Sequence, residues 1–478
     1  MKFFMKDFKF IFIFFTCAVL YSQKKHDEIL LSIDYNKNKY EAAASSIWNL
    51  AEMGYQEYKS AAILQELLKQ EGFSIQKGVA GIPTAFIANY GSGSPEIAIL
   101  GEYDALPGLS QKAIPYKESN NGKAGHACGH HLFGTASVAA AIALKEYLVK
   151  TKKSGTVKFF GCPAEEGGSG KVYMTRAGLF NDSDIALHWH PSSLNDASPK
   201  PALANKSAKF RFYGVSAHAA AAPEKGRSAL DAVEAMNSMV NMMREHVDES
   251  TRIHYVITRG GEAPNVVPAF AEVYYYSRHT NRDEVIKVFD RIVNAAKGAA
   301  IGTGTTMDYE MIGGTHELLH IESLQKRVYD NLEKIGGYDY SDEEYDFAEK
   351  ISNSLGLKLD TKYVKNIQPY NSSIKAKGSG STDVGDVSFA IPTVGFNAAT
   401  WVPGTPAHSW QAVAAGGTSI GLKGMVIAAK TMTLTGMQLI DNPKLIEKAK
   451  EEFLLKRGQN FIYTPLIGER EPALNYRN

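Results

Sequence analysis

Cysteine is scarce in this chain, which has three cysteines among 478 residues. Cys17 falls in the apolar N-terminal run, so Cys128 and Cys162 are the only pair left in the remainder of the sequence. One pair excludes the disulfide-rich class of small secreted domains. A chain of this length instead has room for two or three domains with an ample apolar core.

An excess of charge of one sign is also missing. The 52 Lys and Arg residues nearly balance the 51 Asp and Glu residues, which gives a net charge of +1. A nucleic-acid-binding protein would show a basic footprint, so we expect no nucleic-acid partner. Runs of eighteen or more apolar residues are absent too, and we therefore expect no membrane-spanning helix in the mature protein.

The N-terminus has the composition of a secretory signal. Lysines at positions 2, 6 and 9 precede an apolar run at 10–20, and the polar residues that follow offer a cleavage site near Ser22. This order predicts a signal peptide over residues 1–22 and an exported protein, periplasmic or secreted. A buried N-terminal element is the alternative. A lipoprotein site at Cys17 fits poorly, because Phe15 and Thr16 precede it.

Strand and helix patterns alternate in the first part of the chain. Apolar runs at 97–100, 157–161 and 184–187 predict strands, and an alanine-rich stretch at 132–148 predicts a helix between the first two. Such alternation is typical of an α/β fold with a mostly parallel sheet and helices on both faces. We assign residues 23–205 and 317–478 to this α/β domain.

The middle of the chain, residues 206–316, follows a different order. Strand patterns at 207–214, 253–258, 271–278 and 306–311 are interleaved with helix patterns at 229–244 and 283–299. This β-α-β-β-α-β order is the split βαβ, or ferredoxin-like, motif. Since such a sheet has edge strands that can pair across a two-fold axis, we predict an inserted lid that also carries a homodimer contact.

Side chains that bind metals are concentrated in four short segments, His126–His131, Pro163–Gly168, His188–Pro191 and Pro406–Ser409. Two of the segments follow predicted buried strands, where the active sites of α/β proteins lie. Imidazole, thiolate and carboxylate donors on separate loops suit a divalent metal such as Zn²⁺, Mn²⁺ or Co²⁺. Each histidine alone is better explained as structural. Together they predict a metal centre.

Two adjacent carboxylates, Glu165 and Glu166, follow the strand predicted at 157–161. Successive side chains at a strand end point to opposite sides, so one can bind metal while the other faces the substrate water. Metal-assisted hydrolysis needs that division, because the metal makes water acidic and a free carboxylate moves the proton. The alternative interpretation is a solvated acidic turn.

Four further residues are candidates for the site. Asp104 would orient a metal ligand, or only cap the turn that follows it. His218, in the inserted domain, would stabilise the oxyanion of a tetrahedral intermediate, or be an ordinary surface histidine. Asn265 and Arg278 would bind a substrate carboxylate through an amide and a guanidinium.

At these residues the chain resembles the M20 family of metallopeptidases and aminoacylases. The amidohydrolase branch, which includes the auxin-conjugate hydrolases, is similar at Gly101–Pro107, Gly125–His130, Pro163–Gly168 and Ser216–Ala219. The B-type subunits of aminobenzoyl-glutamate hydrolases are more similar still at Gly380–Ser388 and Pro403–Gln411. The resemblance implies a zinc-peptidase-like catalytic domain with an inserted lid and two divalent ions per subunit, Mn²⁺ or Zn²⁺.

The resemblance also implies roles for individual residues. Glu165 would be the general base. Counting along the strand at 184–187 favours His190 over His188 as a ligand. Glu102 stands where many relatives carry Asp or His, and this difference should not affect metal binding. The implied metal ligands are Cys128, His130, Glu166, His190 and His408.

The expected activity is metal-dependent hydrolysis of the amide bond in small N-acyl or N-aroyl amino acids, such as aminobenzoyl-glutamate. A dipeptidase or aminoacylase with the same machinery is the alternative within this class. A solute-binding protein, or a subunit of a heteromer with a related chain, is the alternative from another class. An intact Glu165 with a complete ligand set argues against a non-catalytic subunit.

Overall fold

The computed structural model describes residues 24–373 and 380–477, so the predicted signal peptide at 1–22 lies outside the described residues. The helices, in chain order, are α1 (24–35), α2 (Lys37–Leu50), α3 (Tyr58–Gln70), α4 (His130–Thr151), α5 (Gly170–Arg176), α6 (Ala229–Met243), α7 (Arg282–Thr303), α8 (Glu322–Ile335), α9 (Asp342–Ser354), α10 (Lys362–Lys365), α11 (Val384–Ala390), α12 (Trp410–Gly416), α13 (Ser419–Asp441) and α14 (Lys444–Arg457). The strands are β1 (Ser74–Lys77), β2 (Phe86–Ser92), β3 (Glu96–Gly101), β4 (Leu106–Pro107), β5 (Ala124–Gly125), β6 (Gly155–Gly161), β7 (Ile185–Leu187), β8 (His190–Ser192), β9 (Ala204–Tyr213), β10 (Arg252–Arg259), β11 (Phe270–His279), β12 (Thr306–Thr315), β13 (Thr393–Val394) and β14 (Asn397–Ala399).

The catalytic domain is built on a sheet in the order β1-β2-β6-β3-β7-β13. β6, β3, β7 and β13 are parallel, and β2 runs against its neighbours β1 and β6. Side chains of β3 alternate between two cores, since Ile97 and Ile99 belong to one and Ala98 and Leu100 to the other. Burial on both faces explains the continuous apolar run. The predicted mostly parallel sheet with helices on both faces is confirmed.

Helix α4 is the central helix of this domain, packed between the sheet and α13. Among the described residues it alone is long and apolar enough, by composition, to cross a membrane, and 83% of its most apolar window is buried in the fold. The bent pair of α12 and α13 would pass the same criterion only if its 73° bend lay within one span. The apolar surface of α4 is therefore buried in the core of the catalytic domain.

The inserted domain, which we call the lid, has an antiparallel sheet in the order β10-β11-β9-β12. Its core lies between this sheet and the helices α6 and α7, and it includes Phe210, Val273 and Phe289. The element order is the ferredoxin-like one predicted from the sequence. β9 begins at Ala204, two residues before the predicted limit, because its pairing with β11 continues to that residue.

The chain enters and leaves the lid through neighbouring strands, since β9 pairs directly with β12. Immediately after β12, the N–H of His316 donates to Asp386 Oδ2 at 3.0 Å, and the Tyr463 hydroxyl donates to Asp386 Oδ1 at 2.7 Å. Arg282 at the start of α7 pairs with Glu317 at 3.1 Å. These contacts fix the junction between the lid and the catalytic domain.

Candidate metal centre

The loop that leads into α4 turns sharply at Gly129. This residue has φ of 77°, and a Cβ atom there would lie 2.6 Å from Pro191 Cβ. Glycine is therefore required both by the left-handed backbone and by the close approach of the neighbouring loop. The turn directs the side chains of Cys128 and His130 to the same place, as their one-residue spacing led us to expect.

Two groups of three donor atoms share the Cys128 thiol. The donors of Cys128, His130 and His190 lie within 4.8 Å of one another, and so do those of Cys128, Glu166 and His408. Cys128 Sγ is 3.4 Å from His190 Nε2, and His408 Nε2 is 3.0 Å from Glu166 Oε1. The structure thus brings all five predicted ligands together around one sulfur atom.

Asp104 connects two of these ligands. Its Oδ1 is 2.8 Å from His130 Nδ1, and its Oδ2 accepts the backbone N–H of Glu166 at 2.9 Å. His190 is held in a similar way, because its Nδ1 lies 2.8 Å from the Pro191 carbonyl oxygen. Both imidazoles consequently present Nε2 to the centre. This geometry suits the orienting role predicted for Asp104.

His188 lies outside the donor groups. It lines a small pocket of about 70 Å³ together with His320 and Lys200. Burial lowers the pKa of His188 to about 3, so the ring is neutral. Its ring also packs against Gly395, where a Cβ atom would collide with it at 2.2 Å. Between the two histidines that the sequence offered, the structure places His190 among the donors.

The adjacent carboxylates Glu165 and Glu166 occupy different environments. Burial raises the pKa of Glu165 well above its ordinary value, and the nearby carboxylates of Glu102 and Glu166 raise it further. Burial is the largest influence on Glu166 and acts to raise its pKa, but the contact with His408 and the charges of His130 and His408 together outweigh it, so the net shift is downward. Two neighbouring carboxyl groups whose pKa values are driven apart are typical of a proton carrier beside an ionised ligand.

The donor set fits a divalent cation. Thiolate, imidazole and carboxylate are the ligands that Zn²⁺ and similar ions prefer. Three buried atoms of this centre, Glu166 Oε1, His130 Nε2 and Glu102 Oε2, lack a well-formed hydrogen bond within the described residues. A cation would satisfy atoms of this kind, which are costly to bury without a partner.

Comparison with known proteins decides the family. Residues 98–411 match Peptidase family M20/M25/M40. The chain belongs to this family. It is 40% identical over 448 residues to the B-type subunit of the p-aminobenzoyl-glutamate hydrolase of Escherichia coli (strain K12), and the match covers 88% of this chain and 93% of that protein.

Two further similarities extend this result. The Xaa-Arg dipeptidase of Mus musculus is 30% identical over 441 residues, with 89% of this chain and 91% of that protein covered. The crystal structure of a dinuclear metal-binding M20 peptidase from Bacillus subtilis matches with a TM-score of 0.58 at 16% identity, covering 85% of this chain and 99% of that one. The resemblance noted from the motifs is confirmed, and the chain is an M20 hydrolase with a divalent-metal site.

A buried ion network behind the metal centre of this M20 hydrolase was missed from the sequence. Lys171 Nζ lies 2.5 Å from Glu102 Oε1 and 2.8 Å from Asp383 Oδ1, and all three side chains are almost fully buried. Glu102 Oε2 is in turn 3.1 Å from His130 Nε2. Glu102, which was expected not to affect metal binding, therefore contacts a predicted ligand. The signal that could have pointed to this network is Lys171, a lysine that lies among the buried residues of the short helix α5.

Glu57 is a second functional candidate that the sequence did not reveal. Its carboxylate accepts the backbone N–H of Ala164 at 2.8 Å and the Thr84 hydroxyl at 3.0 Å. Ala164 has φ of 56° and directly precedes Glu165. A non-glycine residue in this region costs about 1–3 kcal/mol and persists only when its surroundings hold it. Glu57 is one of the groups that hold this turn of the M20 hydrolase.

A cleft of about 280 Å³ opens beside Glu165 and Glu166. The lid contributes Asn205, Tyr276 and Arg278 to its lining, and the catalytic domain contributes Ser381–Asp383 and His408. Arg278 is thus the predicted substrate-binding residue that lies in the cleft. Its buried Nε has no hydrogen-bond partner within the described residues, which leaves it available for a ligand.

His218 and Asn265 lie elsewhere on the lid, and both are exposed. The Nδ1 atom of His218 accepts hydrogen bonds from the backbone N–H groups of Ala220 and Ala221. The backbone carbonyl of Asn265 accepts the N–H of Ala219. Neither residue lines the cleft next to the metal centre. Their predicted roles in the M20 hydrolase therefore require a contribution from lid movement or from a second subunit.

Proposed function

We propose that this M20 hydrolase cleaves the amide bond of N-acyl or N-aroyl amino acids, with aminobenzoyl-glutamate as the first substrate to test. The observation that carries the proposal is the site itself. Two donor groups share Cys128, and Glu165 stands beside them at a cleft that contains Arg278. The 40% identity to one component of a p-aminobenzoyl-glutamate hydrolase supports the substrate class.

Two divalent ions, Mn²⁺ or Zn²⁺, fit the two donor groups. Cys128 would be common to both, with His130 and His190 on one side and Glu166 and His408 on the other. When bound, the ions would supply Lewis-acid chemistry, which polarises the amide carbonyl and makes a water molecule more acidic. The solved M20 peptidase that is described as dinuclear supports the number of ions.

Glu165 carries the proton in this scheme. Its carboxylate takes a proton from the attacking water, and the same group then donates that proton to the nitrogen of the leaving amine. Burial favours the protonated form of Glu165 between the two steps. Lys171 stays paired with Glu102 and Asp383, so its positive charge is balanced by these two carboxylates and takes no part in the proton transfer.

Arg278 would hold the carboxylate of the amino-acid part of the substrate, because a guanidinium binds a carboxylate with two parallel hydrogen bonds. Its place in the lining of the cleft supports this role, and its guanidinium carbon lies 5.1 Å from the centroid of the Tyr276 ring. His218 would reach the oxyanion by lid closure or from the partner subunit. Asn265 lies next to His218 and would move into the active site together with it.

A homodimer formed through the lids is the assembly that we propose. Strand β10 lies at the edge of the lid sheet, and Val256 and Ile257 on it are 55% and 40% exposed. Met242 at the end of α6 is 73% exposed. An apolar edge strand of this kind is suited to pairing with a second chain. A heteromer is the alternative, since the similar E. coli protein is named as one subunit of its enzyme.

We also propose export, on the basis of the N-terminal sequence.

A direct experiment is to load the purified protein with Mn²⁺ or Zn²⁺ and follow the release of aminobenzoate from aminobenzoyl-glutamate. Peptides ending in arginine serve as competing substrates, because the 30% identity to an Xaa-Arg dipeptidase favours that second candidate function. The Glu165→Gln variant provides the blank. Turnover of the peptides without turnover of any N-acyl or N-aroyl amino acid would assign the dipeptidase activity instead.

A further inference from the structure

Residues 468–477, which we call the strap, are separated from the end of α14 by ten residues and contact the catalytic domain beside the metal centre. Helix α5 anchors the strap, because Arg176 Nη1 donates to the carbonyls of Gly468 and Arg470 at 3.1 and 2.8 Å. The Tyr173 hydroxyl donates to the Glu471 carbonyl at 3.3 Å. The strap therefore has a defined path over the domain surface.

One end of the strap contacts the lid. Arg470 Nη1 donates to the carbonyl of Ile312 on β12 at 2.7 Å, and its Nη2 lies 3.1 Å from Glu310 Oε1. Ile312 is one of the residues that line the cleft. Arg470 thus supports the lid wall of the cleft without touching the metal ligands.

The other end contacts the turn that carries the two carboxylates. The Tyr476 hydroxyl and Arg477 Nη2 both donate to the backbone carbonyl of Glu166, at 3.0 and 2.6 Å. The ring of Tyr476 also packs edge-on against Tyr55, with 5.6 Å between centroids. These contacts cover the turn at Gly167, which has φ of 94°.

The backbone of Glu166 is consequently held on both sides. Its N–H donates to Asp104, and its C=O accepts from the strap. With both peptide groups fixed, only the side-chain torsions of Glu166 remain free, and the His408 contact restricts those. Outer partners that orient a ligand in this way are commonly worth about 10–100-fold in metal affinity or activity.

We propose that Tyr476 and Arg477 are positioning residues that preorganise Glu166 as a metal ligand from a part of the chain some three hundred residues away. This inference rests on the proposed function, because it takes Glu166 to be a ligand. Neither residue lines the cleft or belongs to a donor group. Both act only through the Glu166 carbonyl and the shape of its turn.

The test is the metal affinity of purified variants, measured by competition with a chromogenic chelator. We expect Tyr476→Phe and Arg477→Ala each to weaken binding at the Glu166 site by about 10–100-fold. Arg477→Lys should recover part of the loss, because an ammonium group can donate to the same carbonyl. The melting temperature of the metal-free protein should stay unchanged, which separates positioning from a general loss of stability.

Arg470→Ala is the matched control in the same strap. It should leave metal affinity at the wild-type value and raise KM, because its contacts are with the lid wall. Equal loss of metal affinity in Arg470→Ala and Arg477→Ala would overturn the inference in favour of a nonspecific effect of the strap. Wild-type metal affinity in the Tyr476→Phe, Arg477→Ala double variant would overturn it as well.

Glu166→Gln distinguishes failure of this inference from failure of the proposed metal centre. If Glu166→Gln binds metal as tightly as the wild type, the proposed centre is wrong. If Glu166→Gln loses metal while the strap double variant keeps it, the centre stands and only the role of the strap is wrong.

Discussion

The catalytic domain and the lid hold their candidate residues in opposite ways. In the catalytic domain, His130 and Glu166 are each fixed by Asp104, and His190 by the Pro191 carbonyl. In the lid, His218 and Asn265 are exposed, and the contacts described above for them are to the backbone of nearby lid segments. The metal centre is thus assembled within one chain, whereas the proposed oxyanion group depends on where the lid is placed.

The largest effect expected from this comparison is at the shared donor. Cys128→Ala removes one ligand from both donor groups, so metal content and turnover should fall together. The loss should exceed the roughly 10–100-fold that removal of a supporting partner costs. Metal analysis after dialysis, paired with kinetics, measures both quantities. Full occupancy and normal turnover would place Cys128 outside the metal site.

Glu165→Gln should leave the metal bound and still abolish most of the activity. The amide keeps the shape of the side chain but cannot accept a proton, so turnover should fall by roughly 10²–10⁴-fold. The comparison variant is Glu166→Gln, which should release metal. If Glu165→Gln releases metal and Glu166→Gln retains it, the two roles are reversed.

His218→Ala tests the lid side of the comparison. Loss of an oxyanion donor commonly costs about 10²–10³-fold in kcat, and metal content should not change because the residue lies outside the donor groups. Sedimentation analysis of the same sample reports whether the protein is a dimer. A monomer with wild-type kinetics in His218→Ala would show that both the oxyanion role and the lid dimer are wrong.

Activity should change least at the junction of the two regions, where Asp386 contacts His316 and Tyr463. The effect expected there is on the pH dependence of stability. Burial raises the pKa of Asp386 from 3.8 to about 7, partly opposed by the Tyr463 hydrogen bond. Because the folded-state pKa is raised, the stabilisation of the protonated form is complete below about pH 4 and is lost as the pH approaches 7.

Asn is neutral at every pH, so Asp386→Asn should flatten this dependence and be the more stable form above pH 7, by about 4 kcal/mol at most. Denaturant unfolding of the metal-free protein at pH 5 and pH 8 measures the difference. Parallel stability curves for the variant and the wild type would remove Asp386 as the source of the pH dependence.

Local sequence was sufficient to predict the fold and the convergence of Cys128 and His130, whereas the full set of five candidate donors was implied by the family resemblance. Buried strands such as β3 are continuous apolar runs, and Cys128 and His130 are separated by a single glycine, so their convergence follows from local geometry. The networks around the centre could not be predicted in this way. Lys171 and Asp383 are 212 residues apart, and Arg477 is 311 residues from Glu166. Periodicity carries no information on such pairs, which depend on how complete elements pack.

The adjacency of β9 and β12 has a consequence for how the chain folds. The lid core takes its side chains from residues 208–300, whereas the main catalytic core combines residues from Ile29 to Phe453. The lid can therefore form while the second half of the catalytic domain is still being synthesised. Once formed, it brings Asn205 and Thr315, 110 residues apart in sequence, into one side-chain hydrogen bond. The folded lid thus holds the ends of the two halves of the catalytic domain close together, which lowers the loop-closure entropy lost when these halves join.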